Sequence, residues 1–480
     1  MNKKILTILA AIGLLLPLFF ISDPSYAQND FPGVIQDSTP PPSERLLSTT
    51  HQLFLPAVSQ APSTLPVLGV EMSSISQGPL LDLATEAGIK WVRRNGVLWN
   101  EIEEVEGIRD WSSLAALEPE MVLLSERGMK LVLIVRGVPE WARAEGGHIC
   151  GPIAPDKFSA FASFMNELVN RYSQPPYNVQ YWEIGNEPDA PFISDTSPFG
   201  CWGDSGNRYY GGGKYGKMLE VIYPQIKAAD PNAQVLIGGL LLDCDPINPP
   251  VGRTCTMSKF LEGILQEGAG NSFDGVSFHS YDYYNGILGS YSNANWHGSS
   301  TTTGPILDLK AAFLKSVLER YGHPEKYLLM TETALLCNDQ YQTCAEDYEL
   351  TKAIYAVQNY TESLTSQLAA SIWYSYTNPW RFTSLITSST PKPAYYAYQV
   401  LNEHLLDTIY RGKIDIEGLA VYEFARNGDR LWVAWAVNEQ GRTIRLPNAP
   451  AQMWDLFGNP IPVNNEINIG IQPVYLEWND

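Results

Sequence analysis

An alternation of short apolar runs with amphipathic stretches repeats eight times between Leu65 and Leu406, and it constrains the fold more than any other feature. The runs are Pro66–Glu71, Ile89–Arg94, Lys130–Arg136, Val179–Asn186, Gln234–Gly239, Gly275–Tyr281, Tyr327–Thr333 and Ala370–Tyr376. Short runs of this character are what strands buried on both faces require. Between them, Phe158–Tyr172, Lys217–Ala229, Leu307–Tyr321 and Leu350–Leu364 carry apolar residues at three- and four-residue spacing, which predicts helices laid on a sheet. A doubly wound sheet also alternates, but usually with five or six strands. Eight units predict an α/β fold, a (β/α)8 barrel with enlarged loops.

The alternation ends with Asn402–Leu406. Beyond it come shorter alternating runs, Leu419–Phe424, Arg430–Ala436, Arg442–Leu446, Gln452–Asp455, Glu466–Ile469 and Val474–Trp478, separated by turn residues such as Asn427-Gly428. They predict a small C-terminal β-sandwich over residues 407–480, after a barrel over 65–406. Upstream, residues 28–64 are rich in Pro, Ser and Thr and read as a linker. Residues 1–27 read as an export signal: Lys3 and Lys4, an apolar run Ile5–Ile21, and small residues Ser25 and Ala27 before a cut at Gln28. The expected location is therefore extracellular. The alternative is a protein anchored to the membrane by an uncleaved N-terminal segment.

Net charge is −20, from 52 acidic and 32 basic residues. Such a chain repels phosphate backbones, so nucleic acid is not an expected partner, and strongly acidic polymers are disfavoured. Six His without H-x-H or H-E-x-x-H spacing give no expected metal site. Gly211–Gly216 fits G-x-G-x-x-G only in spacing, since a polar loop precedes it, so no nucleotide or other cofactor is expected. Six Cys in an exported chain suggest disulfides. Short loops favour Cys244–Cys255 and Cys337–Cys344, which leaves Cys150–Cys201.

Barrel active sites lie at the C-terminal ends of the strands. The fourth run ends Glu183-Ile184-Gly185-Asn186-Glu187-Pro188, and the seventh ends Thr331-Glu332-Thr333. Pro188 cannot continue a ladder, so the fourth strand stops near Glu187, with Glu183 one layer below it. An inward Glu183 needs a partner, and Arg93 or Arg94 can supply it. Strands 4 and 7 oppose each other across an eight-stranded barrel, so Glu187 and Glu332 face one another. Two such carboxylates, one a protonated acid and one a nucleophile, are what retaining glycoside hydrolysis uses.

Asn186-Glu187-Pro188 on strand 4 with Thr331-Glu332 on strand 7 resembles clan A of the glycoside hydrolases, the 4/7 superfamily, over roughly residues 65–405. The run Trp182–Pro188, the segment Ile226–Pro231 and the C-terminal Asp455–Asn459 and Pro473–Leu476 resemble family 39 and family 5-like enzymes. The resemblance implies Glu187 as acid/base, Glu332 as nucleophile, and Asn186 as a hydrogen-bond partner of the sugar 2-hydroxyl. It implies an arginine at the end of strand 2 beside the nucleophile. Arg93 and Arg94 both qualify: the preceding Gly88–Val92 favours Arg93, the spacing to Trp99 favours Arg94, and Arg93 is the expected one of the two. It further implies His279 and Tyr281 on strand 6 and Trp373 on strand 8 next to the sugar. Trp141, with Trp99, Trp202, Trp296 and Trp380, stands at or just beyond strand ends, where several rings together can form a sugar cleft. The expected activity is retaining hydrolysis of β-linked oligo- or polysaccharide, neutral or basic in charge. A transglycosylase would use the same residues, and a non-catalytic carbohydrate-binding or matrix protein could keep the same scaffold.

Overall fold

The computed structural model describes residues 67–296, 305–337, 344, 346–438 and 440–479. The export signal and the linker expected over residues 1–64 lie outside the described residues. Eight parallel strands alternate with eight helices. The strands are β1 Leu68–Glu71, β2 Trp91–Leu98, β3 Lys130–Arg136, β4 Tyr181–Ile184, β5 Gln234–Leu240, β6 Gly275–Tyr284, β7 Tyr327–Leu336 and β8 Ala370–Trp373. The helices that follow them are α1 Pro79–Glu86, α2 Glu118–Glu126, α3 Phe158–Tyr172, α4 Gly212–Ala229, α5 Phe260–Gln266, α6 Leu307–Arg320, α7 Tyr348–Thr365 and α8 Pro393–Leu405. Each strand pairs with its sequence neighbours, and β8 pairs with β1, which closes the barrel.

The pleat sorts each strand into two sets of side chains. Trp91, Val132, Leu236, Leu329, Ala370 and Ile372 form an interior layer inside the barrel. Their neighbours Val92, Leu131, Leu133 and Trp373 join the larger core beneath the helices. The interior layer fills the barrel floor, so the inward residues further along the strands rise to the mouth.

The C-terminal region is a five-stranded antiparallel sheet, β9 Ile409–Lys413, β10 Leu419–Arg426, β11 Asp429–Ala436, β15 Val474–Trp478 and β13 Gln452–Trp454 in spatial order. A second layer, β12 Arg442–Arg445 paired with β14 Glu466–Ile469, covers one of its faces. Leu419, Val421, Trp432, Ala434 and Leu476 pack there against Ile467 and Ile469. The alternate residues Tyr422, Phe424, Leu431, Val433, Trp435 and Tyr475 belong to the barrel's own core cluster. Tyr422 donates to Glu362 of α7 at 3.1 Å. The sheet is thus bonded to the barrel as well as sandwiched on its far side. Strand β9 was not legible in the sequence: it is an edge strand with Arg411 exposed and no clean alternation.

Three disulfides join Cys244 to Cys255 and Cys337 to Cys344, the pairs that loop length favoured, and Cys150 to Cys201, the pair that was left. No helix among the described residues is long and apolar enough to cross a membrane.

Candidate active site

Arg93 organises the barrel mouth. It lies on the inward face of β2 and is 1% exposed. Its Nε donates to Glu183 Oε2 at 2.7 Å, and Nη1 donates to Glu71 Oε2 at 2.6 Å. Nη1 also donates to Glu332 Oε1, and Nη2 to Asn186 Oδ1. One guanidinium therefore ties together the ends of β1, β4 and β7. Arg94 faces the helices, where its Nε donates to Glu120 of α2 at 2.7 Å. Glu183 is fully buried one layer below the mouth, and its other oxygen accepts from Thr331 Oγ1 at 3.0 Å.

Glu332 reaches the mouth through an irregularity in β7. Its pairing with β6 and with β8 shifts register just after Met330. A bulge lets consecutive side chains share a face. Thr331 and Glu332 both bond to groups inside the barrel, one to Glu183 and the other to Arg93. Glu332 Oε2 accepts from the Tyr281 hydroxyl and lies 3.4 Å from His279 Nδ1. Burial favours the protonated form of Glu332, but the His279 and Arg93 charges and the Tyr281 hydrogen bond outweigh it and hold its carboxyl below the ordinary value.

Glu187 is held by a turn rather than by the pleat. Strand β4 ends at Ile184, Gly185 has φ 81°, and Glu187 itself has φ 47°. A non-glycine residue in the left-handed region is costly and concentrates at functional sites. The Glu187 amide donates to the Gly239 carbonyl at 3.0 Å, which pins the turn against β5. Glu187 Oε1 pairs with His279 Nδ1 at 2.8 Å. His279 is fully buried, and a Cβ at Gly239 would stand 2.1 Å from its Nε2, so only glycine leaves room for the ring. Burial lowers the affinity of His279 for a proton, and the Glu332 and Glu187 charges more than reverse that, raising its pKa. One ligand atom each from Glu187, His279 and Glu332 lies within 4.8 Å of the others. By distance alone these three could hold a metal ion. Both Glu332 oxygens are already occupied, by Arg93 and by Tyr281, and a cation there would meet the fixed guanidinium.

Two expected residues do not join this group. Trp373 is fully buried on the helix side, where its Nε1 donates to the Thr383 carbonyl at 2.8 Å and its ring packs 6.0 Å from Tyr355. Ala370 and Ile372 belong to the interior layer, so the next inward residue is Tyr374, not Trp373. Trp141 is held by the loop after β2: its Nε1 donates to the Glu103 carbonyl at 3.0 Å and its ring lies 5.3 Å from Trp99. Trp99, Trp202 and Trp296 are buried and provide no open ring. The aromatic wall beside the carboxylates is instead Tyr281, Tyr374 and Trp380. Trp380 is 40% exposed and lies 6.0 Å from Tyr281 and 5.5 Å from Tyr374.

Glu71 was also missed, although its cue was present: like Glu332, it closes an apolar run. Burial raises its pKa to about 7, with Arg93 opposing and Glu332 adding to the rise. Behind the site, buried Lys310 donates to the carbonyls of His279 and Leu241, both at 2.8 Å, and fixes the backbone that carries His279.

Tyr281→Phe removes a donor that favours ionised Glu332. The expected result is about a tenfold loss of kcat/KM, with the acid limb of its pH profile moved to higher pH. The check is the pH dependence of aryl glycoside cleavage; an unmoved limb would separate Tyr281 from the ionisation of Glu332.

A closed barrel with paired carboxylates opposed across its mouth is the architecture of the clan A glycoside hydrolases, and the chain is similar in fold to enzymes of that clan. A family 39 glycoside hydrolase from Bacteroides cellulosilyticus aligns with 20% identity over 86% of this chain and 81% of that one, with a TM-score of 0.64. A conserved exported protein from Bacteroides fragilis aligns at 11% identity, covering 86% and 98% of the two chains, with a TM-score of 0.60. A GH30 endoxylanase from Clostridium papyrosolvens aligns at 13% identity, covering 87% and 97%, with a TM-score of 0.55. No family model and no curated protein matches the chain by sequence.

Proposed function

We propose that the chain is an exported retaining glycoside hydrolase that cleaves β-linked oligo- or polysaccharide. The observation that carries this reading is the carboxylate pair: Glu187 and Glu332 come from opposite strands, and their oxygens approach within 4.8 Å. Retaining enzymes hold their carboxyl groups about 5–5.5 Å apart, whereas inverting enzymes leave about 6.5–9.5 Å for a water molecule.

In the first step Glu187 gives a proton to the glycosidic oxygen, the bond to the leaving group breaks, and Glu332 attacks the anomeric carbon. Glu187 Oε1 is taken by His279, which leaves Oε2 to carry the proton. Glu332 is suited to the nucleophile's part because His279, Arg93 and Tyr281 keep it ionised despite burial. In the second step Glu187 takes a proton from water, and the hydroxide displaces Glu332 with a second inversion. The net result is retention. Asn186 presents its carbonyl oxygen to Arg93, so its amide N–H groups are free to meet a sugar hydroxyl. Trp380, Tyr374 and Tyr281 offer ring faces and edges for the sugar body.

The test is reducing-sugar release over β-glucans, xylans, mannans, galactans and bacterial exopolysaccharides, followed by proton NMR of the first product. The expected product is the β-anomer, appearing before mutarotation. An α-anomer as first product would overturn retention. Silence on every polymer, with tight binding of one, would favour a carbohydrate-binding protein.

A further inference from the structure

Arg136 is a charged group at the mouth that the chemistry above does not use. It closes β3 on the face that carries Val132 in the interior layer, four residues below. The register pairs Val135 with Ile184 of β4, so Arg136 stands beside Gly185-Asn186. With Asn186 and Gly137 it borders an apolar recess that Phe199 and Trp202 also line. The Arg93 guanidinium and the Glu71 and Glu332 carboxylates are near enough to act on its charge, the first against it and the other two in its favour.

Among the described residues Arg136 has no ion pair, and its Nε is buried without a hydrogen-bond partner. Arg93, Arg94 and Arg109 each bond to at least one carboxylate. The contrast is informative in a chain with 52 acidic residues against 32 basic ones, where counter-ions are plentiful. A half-buried guanidinium without one is costly, and the cost is relieved when a ligand supplies the missing charge. Burial, with Arg93 adding to the effect and Glu71 and Glu332 opposing it, pushes its pKa down to about 10, so it is still a cation at neutral pH.

Resting on the glycosidase reading, we infer that Arg136 binds an anionic substituent of the substrate, a uronate carboxylate or a sulfate ester, lodged beside Asn186. The planar fork of a guanidinium matches either group with two hydrogen bonds. The net charge of −20 still disfavours a polyanion. The two facts together describe a mainly neutral β-glycan bearing sparse acidic groups, with one such group read at Arg136.

The test uses the full chain on uronate-bearing and sulfated β-glycans, each paired with its carboxyl-reduced or desulfated twin. The expected result is about tenfold to a hundredfold higher kcat/KM on one acidic polymer than on its twin. Arg136→Gln brings that ratio close to one, and Arg136→Lys holds an intermediate ratio. Thermal unfolding checks that both variants fold. The uronate and sulfate arms identify which group is read. Equal cleavage of acidic and neutral twins by the unaltered protein would overturn the inference, and so would a ratio that Arg136→Gln leaves unchanged. If no polymer is cleaved, the glycosidase reading fails first. Calorimetric titration with D-glucuronate and with sulfate then decides on Arg136 separately: binding lost in Arg136→Gln supports it, and no binding or equal binding overturns it.

Discussion

Glu332→Ala is expected to lower kcat/KM on an activated aryl glycoside of the accepted sugar by at least about 10^4-fold, while the protein stays folded. The size follows from what is removed. Without Glu332 no group stands opposite Glu187 to form the covalent intermediate, and water must attack without a positioned base on that face. Folding should survive because Glu71 and Glu183 still bond to Arg93 and continue to neutralise it. A small anion such as azide, admitted to the space left by the side chain, should restore turnover and yield the α-glycosyl azide. Inversion in that product identifies the face from which Glu332 acts. Retained activity in Glu332→Ala would sink the nucleophile assignment, and an azide product of β configuration would place the nucleophile elsewhere.

The second large effect concerns Arg93. Arg93→Met is expected to cost about 3–5 kcal/mol of stability, because it strands buried carboxylates without their counter-charge. Glu183 is left with Thr331 alone, and Glu71 and Glu332 lose their shared donor. The loss is read as a lower unfolding midpoint in denaturant. Arg93→Lys separates charge from geometry. It keeps the cation but not the fork that reaches Glu71, Glu183, Glu332 and Asn186 together, so it should fold and still lose most of its activity. With fewer donors on ionised Glu332, the acid limb of the pH profile should move to higher pH. An Arg93→Met protein as stable as the parent would mean that the carboxylates relax by taking up protons, and the activity of that protein would then be confined to alkaline pH.

The two carboxylates, Asn186, His279, Tyr281 and the choice of Arg93 came from strand ends and from resemblance, and the structure brings these side chains into one bonded group. The signal was strong because a barrel opens at the C-terminal ends of its strands, so a charged or polar group late in an apolar run has few other places to go. Glu71 and Arg136 carried the same cue and were passed over, since no motif surrounds them. Trp373 was misplaced by one residue. Counting by twos from Ala370 gives Ile372 and Tyr374, a reading the sequence permits but does not compel until one face is known to be the interior. Trp99, Trp202 and Trp296 were misread for another reason, while Trp380 stays open: a tryptophan after a strand fits both a sugar platform and a plug beneath the loops, and burial decides between them.

The sequence by itself determined the eightfold alternation, the closed count of strands, the opposed positions of Glu187 and Glu332, and the disulfide pairs that short loops favour. These depend on periodicity and chain length, which are local properties. Tertiary structure alone decided how the two carboxylates and their partners are aimed. The register shift after Met330 turns both Thr331 and Glu332 inward where strict alternation would send one of them outward. The left-handed turn at Glu187 and the space above Gly239 bring Glu187 to His279. Arg93 gathers carboxylates that lie 22, 90 and 239 residues away in the chain. Bulges, positive-φ turns and long-range ion pairs cost energy where they occur, and the packing of many distant residues holds them in place. No local stretch of sequence contains that information.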